Sequence, residues 1–298
     1  MGSRARCRRT RVAPRPTAAT SEAPDPDPAA RAQSHPLHAS VHARDRRRKG
    51  GDPATDPARA GASANEVRQI AVRPDHHLQS RRSRAYYDTT YPWRCLVRIV
   101  TPRGWSGSGV LIGPRHVLTA SHCVDWTPGW LTVYVMYSDT AWLASANGTW
   151  AYAATRVSSS SYSADVADED YAVIVLDQPI GLTYGWLGSR TYDNGWDDAT
   201  TYWHSIGYPQ DWSGSGEIAA WQTDFKLNEL DSASGSTRLI RSNTFDNWPG
   251  QSGSPIFGFW SDGPYAVGVV SGQSPSFNWI AAGSMLPTLV RQAWNEHP

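Results

Sequence analysis

The chain has 298 residues and a formal net charge of +1, a balance that hides two unlike parts: residues 1–84 carry 18 Arg and Lys against 8 Asp and Glu, whereas residues 85–298 carry 10 against 19. The first part also holds 9 of the 21 prolines and none of the 15 tryptophans, too little apolar surface to offset the entropy of ordering, so it is expected to be disordered. The acidic remainder argues against nucleic acid as its ligand, and the chain has no apolar run of the ~18 residues that a membrane-crossing helix needs.

In chain order, the leader comes first. "TRVAPRPTAATSEAPDP" offers no apolar h-region after the early arginines, so no secretory signal is legible. The run Arg46, Arg47, Arg48 and Lys49 is solvated charge rather than a specific binding patch. "RRSR" at 81–84 stands just before Tyr86 and Tyr87; cleavage near Arg84 would make the leader a pro-segment, with a dispensable leader as the alternative. Cys7 lies in this part. Cys95 and Cys123 are then the one pair in the folded part that could bridge, closing a loop of 28 residues worth about 3 kcal/mol, or could stay buried and reduced.

From Tyr86 onward, short apolar runs alternate with Gly, Pro, Ser, Asn and Asp. "CLVRIVT" (95–101), "GVLIG" (109–113), "HVLTA" (116–120), "WLTVYVMY" (130–137) and "YAVIVLD" (171–177) predict strands in the first half. "GSRTYDNGWDD" (188–198) marks a link between two β halves, and "TRLIRS" (237–242), "PIFGFW" (255–260) and "YAVGVV" (265–270) predict strands in the second. Many short strands with turns between them indicate an all-β barrel or sandwich. Leu286, Leu289, Val290, Ala293 and Trp294 follow helical spacing, with Ser284 as N-cap and Pro287 in the first turn, so the chain is expected to end in an amphipathic helix over 284–296.

Three strand-end residues have complementary chemistry. A serine hydroxyl barely ionises near neutrality and must pass its proton to a base, which in turn needs an orienting carboxylate. His122 follows one apolar strand, Asp170 opens another, and Ser252 sits in the glycine-flanked turn "PGQSGSPIF" entering a third. Ser-Gly-Ser occurs four times, at 106–108, 213–215, 234–236 and 252–254, but only the last is preceded by Gly-Gln and followed by an apolar strand. The copy at 106–108 enters a strand; the other two lie in polar stretches and are expected in surface loops. Asp168 and Glu169 are rival carboxylates, expected to be solvated.

"TASHC", "DYAVIVL" and "GQSGSP", in the order His, Asp, Ser, resemble the motifs of chymotrypsin-like serine proteases, and the last form is most similar to the bacterial glutamyl endopeptidase or V8-like branch. The resemblance runs over 86–295. It implies two six-stranded antiparallel β-barrels with the active site between them, the first over about 85–190, the second over about 191–283, and the helix after them. It implies a serine endopeptidase acting through an acyl-enzyme, with Ser252 as nucleophile, His122 as proton carrier and Asp170 as its orienter. The N–H groups of Gly250 and Ser252 would bind the oxyanion. Ser271 would hydrogen-bond the aspartate while its strand pairs with substrate, and Asp246, Asn247, Val270 and Gly272 would join it in substrate binding. The family also implies a secreted monomer acting on protein or peptide, with no metal, no organic cofactor, no nucleic acid and no membrane.

Departures from the family pattern bear on activation and specificity. Gln251 stands where chymotrypsin keeps the acid that pairs with its freed N-terminus, so activation by that ion pair is not expected. Val270 replaces the histidine with which glutamyl members read a carboxylate, and Asp246 stands six before Ser252, where trypsin-like enzymes keep the acid that binds Arg or Lys. A non-catalytic binding module on the same fold is the alternative reading.

Overall fold

The computed structural model describes residues 87–298 apart from 127–128, 130, 159–161, 199–202, 214–215 and 232–234, together with strand segments at 33–36 and 84–85. Cys7, the basic run at 46–49, residues 81–83 and Tyr86 lie outside the described residues. The first strands are β1 (Gln33–Pro36), β2 (Arg84–Ala85), β3 (Leu96–Val100), β4 (Ser106–Gly113), β5 (His116–Thr119), β6 (Thr132–Val135), β7 (Ala144–Ala153) and β8 (Ala172–Leu176). β7, β6, β3, β4, β5 and β8 are hydrogen-bonded in that order, and β8 returns to β7, which closes a six-stranded antiparallel barrel; β1 pairs with the outside of β7.

Of the six strands that close this barrel, β7 is the one that sequence periodicity does not reveal. "ASANGTWAYA" is rich in Ala, Ser and Asn and contains Asn-Gly, a turn signal, so local preference opposes the strand. Tertiary pairing overrides it. Ala144–Asn147 pairs with β6, the register then shifts between Gly148 and Trp150, and the remaining residues pair with β8, so the irregularity turns the barrel corner.

The second half contains β9 (Gly188–Ser189), β10 (His204–Gly207), β11 (Ala220–Thr223), β12 (Asn228–Asp231), β13 (Arg238–Ser242), β14 (Pro255–Trp260), β15 (Gly263–Gln273) and β16 (Asn278–Ala282). They run β12, β13, β16, β15, β14, β10, β11, with β2 on the β11 edge and β9 parallel to β15. This corrects the expectation of a second six-stranded barrel: the sheet curls but does not close. The free edge of β11 takes β2 through Ala220 and Trp221. One side chain of β11 ties it to the main chain beyond β13: the Gln222 amide donates to the Asp246 carbonyl (2.7 Å) and accepts from the Asp246 N–H (2.7 Å).

The predicted helix forms over Met285–Glu296 and buries Leu286, Leu289, Val290 and Ala293. Its position carries more meaning than its existence, because it packs against β5, β7 and β8 of the first half as well as β9 of the second. Ser284 stands at the N-cap position without a side-chain capping bond, correcting the expected cap; its carbonyl instead accepts from Thr288 Oγ1 (2.9 Å). His116, 1% exposed, places Nε2 3.2 Å from the Ala293 carbonyl and stacks on Trp294.

Burial pushes His116 down to about 4, opposed in part by the hydrogen bond to the Ala293 carbonyl and reinforced by the charges of His297 and Arg115, and burial pushes His204, enclosed by Trp93, Trp221 and Phe257, down to about 4 as well. Both rings accept a proton more readily unfolded than folded. Their contribution to stability is therefore complete above the unfolded value of about 6.5 and is lost as pH falls from there towards 4. Thermal melts followed by circular dichroism should show Tm lower at pH 4.5 than at pH 7.5 by on the order of 5 °C. An unchanged Tm would mean that these rings protonate in place.

Candidate active site

The barrel and the open second sheet hold the three chemistry-bearing residues at strand ends. His122 lies in a 3-10 turn, Ser121–Cys123, directly after β5. That turn is tied down by Ser121, whose hydroxyl donates to the Thr155 carbonyl (2.7 Å) and accepts from the Val157 N–H (3.0 Å). Asp170 caps another 3-10 turn, Ala164–Glu169, one residue before Tyr171 and β8. Since β5 and β8 are neighbours in register, the two turns meet.

Asp170 is fully buried and accepts three hydrogen bonds: from the His122 N–H at Oδ1 (2.9 Å), from His122 Nδ1 at Oδ2 (2.7 Å) and from Ser271 Oγ at Oδ2 (2.7 Å). A carboxylate only accepts, so Nδ1 carries the proton and Nε2 is the ring nitrogen left with a lone pair. Burial pulls His122 down, but the Cys123 thiol and the Asp170 carboxylate beside it outweigh that and hold it well above its ordinary value.

Asp168 and Glu169 are half-buried rather than solvated, which corrects the expectation for them. Asp168 accepts from Thr237 Oγ1 (2.7 Å) and Glu169 from Thr155 Oγ1, so both anchor the turn that presents Asp170.

Ser252 lies in the turn entering β14. Gly250 (φ +97°) and Gly253 (φ +82°) both occupy the left-handed region. A Cβ at 250 would stand 2.3 Å from the Tyr208 carbonyl, and one at 253 would stand 2.2 Å from the Ser108 carbonyl, so glycine is required at both. The Ser-Gly-Ser at 106–108 proves to be the support of the one at 252–254: the Ser108 N–H donates to the Ser252 carbonyl (2.8 Å) and the Ser108 hydroxyl to the Gly250 carbonyl (2.7 Å). Of the other copies, residues 214–215 and 234 lie outside the described residues.

Two peptide planes in this turn are locked by their carbonyls. The Pro249 carbonyl accepts from the Gln210 N–H (2.8 Å) and the Gln251 carbonyl from the Ser254 N–H (2.9 Å). In a trans peptide the N–H points opposite to the C=O, so the Gly250 and Ser252 N–H groups are held facing away from these partners. Neither donates to another group among the described residues. Two fixed, unspent donors in one turn can stabilise a developing oxyanion. Gln251 is 3% exposed and braces the loop internally, its Oε1 accepting from the Trp248 N–H (2.8 Å).

β15 supplies the remaining expected residues. Val270, fully buried, exchanges backbone hydrogen bonds with the serine turn: the Gly253 N–H donates to its carbonyl (2.7 Å) and its own N–H to the Ser254 carbonyl (2.9 Å). Asn247 Nδ2 donates to the Gly272 carbonyl (3.1 Å), and Asp246 is half-buried on the Gln222 bridge. Tyr162 is a participant the sequence does not betray. Its hydroxyl meets Ser271 Oγ at 3.1 Å, its ring packs edge-on against His122 (5.5 Å, 62°), and it fills the space a side chain at Gly272 would need. It belongs to a Ser- and Ala-rich stretch with no periodicity, so no local pattern singled it out.

His122 and Ser252 open onto one cavity of about 660 Å³, together with Gly250, Cys123, Trp105 and Trp126. Cys95 and Cys123 are both free and buried, so the bridge between them does not form. Cys95 Sγ contacts the Tyr184 carbonyl (3.6 Å), and burial, slightly offset by Arg94, pushes its thiol up to about 12; Cys123 Sγ contacts the Ser252 carbonyl (3.5 Å) beside Gly107.

A family profile described as "Trypsin" matches residues 81–278. Among curated proteins, the chain is 32% identical over 189 residues to the "Glutamyl endopeptidase" of Bacillus licheniformis, covering 59% of this chain and 52% of that one. It is 27% identical over 216 residues to the "Extracellular metalloprotease" of Bacillus subtilis, covering 66% and 62%. The chain thus spans between about half and two-thirds of these relatives' lengths. Of solved structures, one titled "Structure of Glu endopeptidase in complex with MPD" superposes with a TM-score of 0.56 at 25% identity over 71% of this chain and 96% of that one. The protease Anisep from Arthrobacter nicotinovorans shares the fold at 20% identity, with a TM-score of 0.52 over 72% and 98%.

Proposed function

The chain belongs to the trypsin family, and on that premise we propose that it is a serine endopeptidase hydrolysing peptide bonds through an acyl-enzyme. Ser252 attacks the peptide carbonyl while His122 Nε2 takes its proton, Asp170 holds the imidazole in the required tautomer, and the Gly250 and Ser252 N–H groups receive the oxyanion. His122 then donates the proton to the leaving nitrogen, and water attacks the ester by the same route in reverse. The observation that carries this reading is the His122 Nδ1 to Asp170 Oδ2 contact of 2.7 Å on a cavity shared with Ser252.

Glutamyl preference is not carried over from the relative of that name, because Val270 offers a substrate carboxylate no charge. Action outside the cell is supported by the relative named as extracellular. The substrates are proteins or peptides and the working form is a monomer.

A fluorophosphonate probe should label the purified protein once, with the mass adduct on the peptide containing Ser252. Because His122 must be neutral to accept a proton and is held above its ordinary value, kcat/KM should rise with pH through a pKa above about 6.5 and be lost below it. Absence of labelling at pH 8 rejects the proposal and favours a non-catalytic protein on this fold.

A further inference from the structure

The cavity beside Ser252 does not belong to the half of the substrate that the acyl-enzyme retains. It is bordered by His122, Gly250 and Ser252, but none of Asp246, Asn247, Val270, Ser271 or Gly272 lines it. Its far walls come from the first barrel: the turn at 101–106 between β3 and β4, and the segment 123–126 that continues from His122. Since His122 delivers the proton to the leaving nitrogen, that nitrogen and the residue attached to it must lie on the His122 side of the reactive carbon.

The chemistry of these walls is aromatic. Trp105 is 54% exposed yet stands on a rigid turn, its carbonyl accepting from the Thr101 N–H (2.8 Å) and its N–H donating to Thr101 Oγ1 (3.2 Å). Trp126 has its Nε1–H satisfied by the Ser121 carbonyl (3.0 Å) and Arg156 over its ring at 5.3 Å. What it has left to offer is carbon surface. Two indole rings lining the cavity that also holds Ser252 give it the apolar, aromatic wall that ligand sites present. Charge is confined to Arg103 and Asp125, engaged with each other at 3.6 Å.

Resting on the proteolytic reading above, we propose that this cavity is a leaving-group specificity site, which selects a large apolar or aromatic side chain on the residue directly after the scissile bond and packs it against Trp105 and Trp126. At about 660 Å³ it is large enough for such a side chain and the backbone that follows.

The test uses internally quenched peptides that differ only at that residue: Gly, Lys, Asp, Leu, Phe or Trp. In the wild-type protein, kcat/KM for Phe and Trp should exceed that for Gly by about 10-fold, the order expected for burying most of an aromatic ring. Trp105→Ala should reduce the ratio to about twofold and Trp105→Phe should retain most of it, circular dichroism confirming that each variant is folded. A flat profile in the wild type, or a preference untouched by Trp105→Ala, overturns the proposal. Preference for Lys or Asp also overturns it, by assigning recognition to Asp125 or Arg103. Probe labelling separates the two readings: a labelled enzyme with a flat profile sinks this inference alone, whereas an unlabelled protein sinks the proteolytic reading with it.

Discussion

Replacing Ser252 with alanine is expected to lower kcat/KM for peptide hydrolysis by about a millionfold and to abolish probe labelling, while leaving the melting temperature within a few degrees of wild type. The fold should survive because the structural bonds of this residue run through its main chain. Its carbonyl accepts from the Ser108 N–H and from Cys123 Sγ, and both bonds persist in alanine. The chemistry should not survive, because no hydroxyl is left to attack and His122, still held by Asp170, has no proton to take. Residual turnover blocked by iodoacetamide would reveal Cys123 acting as a substitute nucleophile. Full activity in the alanine variant would end the proposed mechanism.

What the sequence disclosed follows a physical division. Strands and helix faces that bury apolar residues are written as periodicity, and β14 matches the predicted 255–260 residue for residue. The serine, histidine and aspartate were legible because each sits directly against such a run. β7 was not, since its ten residues are held by pairing on two sides rather than by their own preference. Barrel closure was not legible either, because whether β11 meets β12 or β2 depends on competition for one edge, which no local window contains. The same limit hid Tyr162, whose role exists only once the first half brings it over Gly272 of the second. It also hid the partnership of the two Ser-Gly-Ser copies, which depends on residues 142 positions apart.

The Asp170→Asn variant should lose about 10⁴-fold in kcat at neutral pH with little change in KM, because it alters the position of one proton and almost no volume. Asp170 Oδ1 accepts the main-chain N–H of His122 at 2.9 Å, a donor fixed by the 3-10 turn. The amide oxygen of the introduced side chain must therefore occupy that place, which turns its NH₂ towards His122 Nδ1 and Ser271. Two donors cannot face each other, so Nδ1 must become the acceptor and the imidazole proton moves to Nε2. Nε2 then meets Ser252 as a donor and cannot remove its proton. Burial sharpens the effect, because at this fully buried position the introduced amide has no bulk solvent to turn towards and must face its protein partners. Steady-state kinetics beside a melting curve decides the matter: a loss below tenfold in a folded variant would show that His122 does not draw its orientation from this carboxylate, and the proton path from Ser252 would have to run through other groups.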